Sequence, residues 1–325
     1  MRKQCKMAIL IVALLTLAGC FFSGAERQRW TLAPEGTTSF SLSREGRFAL
    51  YYSAQQGIVL WDLQQNKKLA DFGSQDPYHN TVLTSRISDN NRFAITATAQ
   101  NFAVWDLAWG HSDGLWSISD GQILDVAIGN NGQHVLLALS NGKALYVDLG
   151  SGRRLEFLAH REKVNAVAIS PNGRYALSGG NDHYAYLWDT RDGQILFRFD
   201  HTSRVRTVAL QRDGKLAFTA DGHKGAYIWD LSNGKKQATL AVRARQQTFS
   251  SARFADDGLT LATGTPARRV ETWDTRTGEN LGRWETAAQQ DTRPPAAVVY
   301  DVAITPEGQI TSGTSAGIAQ QWTTE

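Results

Sequence analysis

Seven histidines, 31 acidic residues and two cysteines are the groups in this 325-residue chain from which a reaction centre or a metal site would be built. A zinc-type site needs three or four such ligands at short, recognisable spacing, and no Cys-x-x-Cys pair or His-Glu-x-x-His stands in the sequence. A Gly-rich phosphate loop and a Gly-x-Ser-x-Gly nucleophile elbow are missing as well. The nearest approach to a metal set is Asp182-His183, or His201 with His223, which could meet on one rim of the molecule. Carboxylates are plentiful, but many fall in turns such as Asp213-Gly214 and Asp257-Gly258, where an Asp side chain serves backbone geometry. The residues therefore speak for binding more than for turnover, and no cofactor is expected.

The elements that must position these residues are read best between Phe157 and Phe199. Val164 to Ile169 and Tyr175 to Gly180 alternate around the turn Ser170-Pro171-Asn172-Gly173, a third run ends in Trp188-Asp189, and Gln194 to Phe199 follows Arg191-Asp192-Gly193. That is the pattern of four short antiparallel strands. One such sheet cannot bury both faces, and copies are present. Trp61, Trp105, Val147, Trp188, Trp229, Trp273 and Trp322 mark units at intervals of 44, 42, 41, 41, 44 and 49 residues. Upstream, Gly46, Asn91, Gly132, Gly173, Gly214, Gly258 and Gly308 each precede the marker by 14 or 15 residues. Seven units at this period predict sheets that stack on their neighbours.

With these markers the chain resembles the WD-repeat β-propellers. The resemblance implies an all-β fold, a seven-bladed ring of four-stranded antiparallel blades. Arg29-Trp30-Thr31-Leu32 precedes blade one, and no residues remain after Trp322 for a fourth strand of blade seven. The N-terminal strand is therefore expected to pair into the last blade and close the ring. In the family a buried relay of Trp, Ser or Thr, His and Asp pins each blade, and Trp188, Ser178, His160 and Asp182 match it in blade four. An indole N–H needs an acceptor, a hydroxyl both accepts and donates, and a carboxylate fixes the imidazole tautomer. Blade five keeps His201, Thr219 and Trp229 but has His223 where the Asp belongs. Blade six has Thr263, Ala267 and Trp273, and blade seven Ser312, Ala316 and Trp322, so apolar packing is expected to carry these blades.

Residues 1–19 have the composition of a targeting segment: Arg2, Lys3 and Lys6, then an apolar run, then Leu17-Ala18-Gly19-Cys20. This resembles a bacterial lipoprotein signal, which implies cleavage before Cys20 and lipidation of that residue, with 20–26 as a short tether and 27–325 as a single propeller. In that family an Asp after the Cys favours inner-membrane retention. Phe21 stands there instead, so the periplasmic leaflet of the outer membrane is favoured. Cleavage would remove three basic and no acidic residues, taking the formal charge from +3 to zero, and would leave one cysteine, already lipidated.

In a propeller, the loops joining strands two to three and strand four to the next blade share a face. By that mapping Arg161, Lys163, Arg204, Arg206, His223, Lys224, Arg243, Arg245, Arg268 and Arg269 gather over blades four to six, against few acids: Glu162, Asp200, Asp221 and Asp182. A neutral molecule with a locally positive face suits acidic partners, and the targeting segment disfavours nucleic acid. The expected function is a membrane-anchored, non-enzymatic scaffold for an envelope protein with an acidic surface, the propeller itself monomeric. The alternatives are an envelope hydrolase or lyase with its site at the channel mouth, and an anionic glycan-binding module. Trp109 and Trp116 in the long turn of blade two are either core or an exposed aromatic contact. The longest loop, 285–297, lies between blades six and seven.

Overall fold

Each of the seven marker positions upstream of a Trp or Val lies in the left-handed region of the backbone, with φ from 62° at Asn91 to 80° at Gly308. Glycine adopts that conformation without a Cβ clash, and Asn is the side chain that tolerates it best. At Gly173 the freedom is indispensable, because an added Cβ would land on the His134 ring of the neighbouring blade. The computed structural model describes residues 24–73, 81–242, 247–289 and 296–324. It consists of seven four-stranded antiparallel sheets.

Blade four shows the plan: Val164–Ile169, Tyr175–Gly180, Tyr184–Asp189 and Ile195–Asp200 pair in chain order, from the ring axis outwards. The first strand of every blade packs on the first strand of the next, all the way round. The ring closes as expected, since Glu26–Thr31 pairs antiparallel with Ile318–Trp322 and completes the sheet of blade seven. Among the described residues no helix is long and apolar enough to cross a membrane.

The core lies between the blades and not within them. Seven apolar clusters fill the seven interfaces, one joining Leu136, Tyr146 and Phe157 of blade three to Val164, Tyr186 and Trp188 of blade four. Trp188 is fully buried and stacks on Phe157 with ring centroids 4.5 Å apart. Burying such a ring contributes a few kcal/mol, about 3 to 5 if it were cut to Ala. The outer strands face water on alternate residues, as Arg153–Phe157 and Ile195–Asp200 do.

The Asp of each Trp-Asp pair has a separate task. Asp62, Asp106, Asp189 and Asp274, with Asp148 after Val147 and Asp230 after Trp229, accept backbone N–H groups of the turn that follows, at 2.8 to 3.1 Å. Blade seven has Thr323 at that position, and its chain makes no such turn because the fourth strand comes from the other end of the sequence. The side chain thus satisfies donors that the hairpin leaves unpaired.

Candidate functional site

The loop from blade three into blade four brings His160 beside Asp182, which sits in the turn between the second and third strands. His160 Nδ1 lies 3.0 Å from Asp182 Oδ1, its Nε2 2.9 Å from Ser178 Oγ, and Trp188 Nε1 donates to that hydroxyl at 3.3 Å. Burial opposes charge on Asp182, but the His160 hydrogen bond and the N–H groups of Arg161 and Tyr184 hold its carboxyl below the usual range.

Blade five carries a full relay, which corrects the sequence expectation. His201 Nε2 lies 2.7 Å from Thr219 Oγ1, Trp229 Nε1 donates to the same atom at 2.7 Å, and the carboxylate opposite His201 Nδ1 is Asp221 at 3.3 Å. Asp221 stands at the end of its strand, two residues ahead of the position occupied by Asp182 in blade four, and folds back into the turn. It also accepts the N–H groups of His223 and Gly225 at 2.8 and 2.9 Å. Burial pushes its pKa up, yet the His201 bond and these N–H groups bring it down to about 2. His223 itself is exposed. Asp221 is therefore spent inside the blade and is not a free acid of the rim.

The remaining blades keep fragments. Trp105 donates to Thr96 and Trp273 to Thr263, both at 2.8 Å. In blade six a fully buried Glu271 is held by Arg283 at 2.7 Å and by Gln247. Among the described residues Trp61 Nε1 and Ser312 Oγ are buried without a hydrogen-bond partner, so blade seven depends on packing as expected and blade one does as well.

Of the sequence-predicted rim, Arg161, Lys163, Arg204, Arg206, His223 and Lys224 lie exposed on the face that carries the two relays. None of these six side chains forms an ion pair or a hydrogen bond among the described residues. Arg268 is half-buried and paired with Glu285, and Arg269 is half-buried beside it. Asp200 pairs with Arg198 at 3.2 Å. Arg243, Arg245 and the lipidation candidate Cys20 lie outside the described residues.

The opposite face treats its arginines differently. Arg47, Arg92, Arg174 and Arg276 reach Asp62, Asp106, Asp189 and Asp274 at 2.9, 3.3, 3.3 and 3.6 Å, and Arg191 also reaches Asp189, at 2.9 Å. The guanidinium groups of Arg47, Arg92 and Arg174 also lie over Phe48, Phe93 and Tyr175. The Arg191 bond draws the Asp189 carboxyl down to about 2, against the effect of burial.

Sequence reading missed the ring axis. Two residues before the turn marker, the seven blades carry Arg44, Asp89, Asn130, Pro171, Arg212, Asp256 and Pro306. The inner turns converge, so the charged members meet. Arg44 pairs with Asp89 at 2.5 Å and with Asp256, and Arg212 reaches Asp89 at 3.4 Å and Asp256 at 3.9 Å. Blades one, two, five and six are thereby bridged across one end of the channel. Inspecting this single offset from the marker would have exposed the alternation.

Above that cluster is a cavity of about 360 Å³. Arg86 pairs with Asp125 at 3.1 Å and Arg253 with Asp301 at 2.9 Å in its wall. Trp109 is 75% exposed, whereas Trp116 is half-buried and stacks on Phe102 at 5.3 Å, so of the two tryptophans only Trp116 packs on the core. Of the long loop, Thr286 donates its N–H to Arg268 O and Ala297 bridges to Ala267; residues 290–295 lie outside the described residues. Among the described residues no group of three His, Cys, Asp or Glu is placed to hold a metal ion.

The family model for "WD domain, G-beta repeat" matches residues 152–189, the stretch from the outer strand of blade three through Trp188-Asp189 that contains the whole blade-four relay. A search of curated proteins returned no match. Propellers of this kind are typically non-enzymatic and commonly act as protein-interaction scaffolds. The matched repeat, together with the ring of seven four-stranded blades, supports a WD-repeat β-propeller.

Proposed function

We propose that the mature chain is a lipid-anchored docking platform in the bacterial envelope, facing the periplasm from the outer membrane, and that the relay face of blades four and five receives a protein with an acidic surface. The observation that carries this reading is the contrast between the faces. Five arginines of the opposite face are ion-paired with four aspartates of the Trp-Asp pairs, Asp189 serving two. Arg161, Lys163, Arg204, Arg206 and Lys224 stand exposed and form no ion pair among the described residues. Unmatched charge on one face steers an oppositely charged partner and fixes its orientation. Arginines at the centre of such a patch are the side chains most suited to anchor it. The anchoring rests on the segment ending in Leu17-Ala18-Gly19-Cys20. Five residues, Phe21 to Ala25, reach at most about 17 Å, which would hold the ring near the membrane surface.

The test is crosslinking in intact cells, purification through a C-terminal tag and mass spectrometry, with wild type beside Lys163→Glu/Arg204→Glu and Cys20→Ala. The expected result is a partner captured by wild type and lost from the charge-reversed protein, with Cys20→Ala released from the membrane fraction. Retention of every partner by the charge-reversed protein would overturn the face assignment, and membrane retention of Cys20→Ala would overturn the anchor.

A further inference from the structure

The channel has a floor, a wall and a mouth of different character. Its floor is the cluster of Arg44, Asp89, Arg212 and Asp256, which spans the end opposite the relay face. One level above, five residues before each turn marker, the blades carry Ser41, Ala127, Ala168, Ala209 and Ala303 at five positions and arginine at two, Arg86 and Arg253. Ala127, Ala168 and Ala209 line the cavity and leave its space open on blades three to five, and the two arginines enter that space from blades two and six. At the mouth stands Arg206, exposed and unpaired among the described residues, with Asn165 beside it.

The acids of the wall are already satisfied. Asp301 accepts Arg253 Nη2 and the N–H of Leu42, both at 2.9 Å, together with its neighbour Val302 N–H. Asp125 accepts from Arg86, from Thr84 Oγ1 and from Val167 N–H. The arginines are not satisfied to the same degree. Among the described residues Arg253 spends only Nη2, on Asp301 and Leu42 O, which leaves Nε and Nη1 without a protein acceptor there. Arg86 spends its two Nη atoms and keeps Nε. Five arginines against four aspartates leave the cup with one net positive charge. Guanidinium donors without protein acceptors in a part-exposed pocket favour an anion that can accept several hydrogen bonds.

We propose that this one-ended cup binds a small carboxylate or phosphate anion, which enters from the relay face and is held by Arg253 and Arg86 with Arg206 at the entrance. The inference needs no protein partner: only Arg206, at the entrance, is shared with the rim, and the anion titration is read with no partner present.

The experiment is isothermal titration calorimetry of the full mature protein with inorganic phosphate, and separately with acetate and citrate, at low ionic strength. Saturable binding of at least one anion at one site per chain is expected. Arg253→Gln should weaken it about tenfold or more, the cost of a charge-assisted hydrogen bond, and Arg206→Gln should weaken it severalfold. Arg206 has no internal pair to lose, so its variant remains informative even if Arg253→Gln disturbs the fold. Arg191→Gln, on the outer surface of the opposite face, should change nothing. No saturable binding of any of the three anions, or binding indifferent to both Arg253→Gln and Arg206→Gln, would overturn the proposal.

Discussion

Replacing Asp221 with Ala tests the blade-five relay directly. The substitution takes the acceptor away from His201 Nδ1 and from the N–H groups of His223 and Gly225. Asp221 is 1% exposed, so water cannot simply fill its place. An unsatisfied buried donor costs about 1 to 3 kcal/mol. With the turn donors partly rehydrated, the whole loss should come to about 3 kcal/mol. Unfolding entropy for roughly 300 residues converts that to a fall of about 5 °C in Tm. His223→Ala, at an exposed turn position, should stay within about 0.5 kcal/mol of wild type. The assay is thermal and urea unfolding followed by tryptophan fluorescence and circular dichroism. A pH series adds an independent reading. The Asp221 carboxyl titrates at about 2 in the folded protein against its ordinary 3.8. Its contribution, of order 2 kcal/mol, is therefore present above pH 3.8 and is lost as pH falls through 2. The stability gap between wild type and Asp221→Asn should shrink over that window. Equal losses for Asp221→Ala and His223→Ala, or a gap that does not change between pH 5 and pH 2, would refute the assignment.

Two other outcomes follow from packing and backbone geometry. Trp188→Ala, which empties the fully buried site stacked on Phe157 and leaves Ser178 without its indole donor, should cost about 3 to 5 kcal/mol by urea unfolding. At the turn markers, Gly173→Ala should cost more than about 1 kcal/mol, because it meets both a positive φ and the His134 ring, while Asn91→Gly keeps the backbone conformation but removes the acceptor of the Arg44 N–H at 3.1 Å and should cost about 1 kcal/mol through that bond alone.

The blade count and the turn positions were legible because each depends on neighbours in sequence, and the ring closure because the two ends of the repeat array complement one another. A left-handed turn residue sits 14 or 15 positions before every Trp or Val marker. Alternation in the flanking runs sets strand register, and a three-strand remainder at one end needs the strand left over at the other. The blade-four relay was legible for the same reason, since its members stand at the usual offsets. The blade-five relay was misread because offset counting assumes one turn conformation. Here the carboxylate comes from the last residue of the strand, and the turn folds back to meet it. The rim arginines could be counted from sequence, but that Arg161, Arg204 and Arg206 form no ion pair among the described residues could not. That contrast emerged only when the Trp-Asp carboxylates were seen to match the arginines of the other face.

What the sequence determined by itself is therefore everything periodic: seven sheets, their order, and the strand exchange that seals the ring. Periodic features are held by hydrogen bonds and apolar contacts between adjacent units, so each unit carries its own instructions. What only the tertiary structure decided is which charges meet on the axis. Arg44 and Asp256 are 212 residues apart, and neither strand pattern nor spacing links them. They touch because seven blades of equal width curve round until first and last coincide, which brings equivalent inner turns to one point and makes neighbours of residues with nothing local in common.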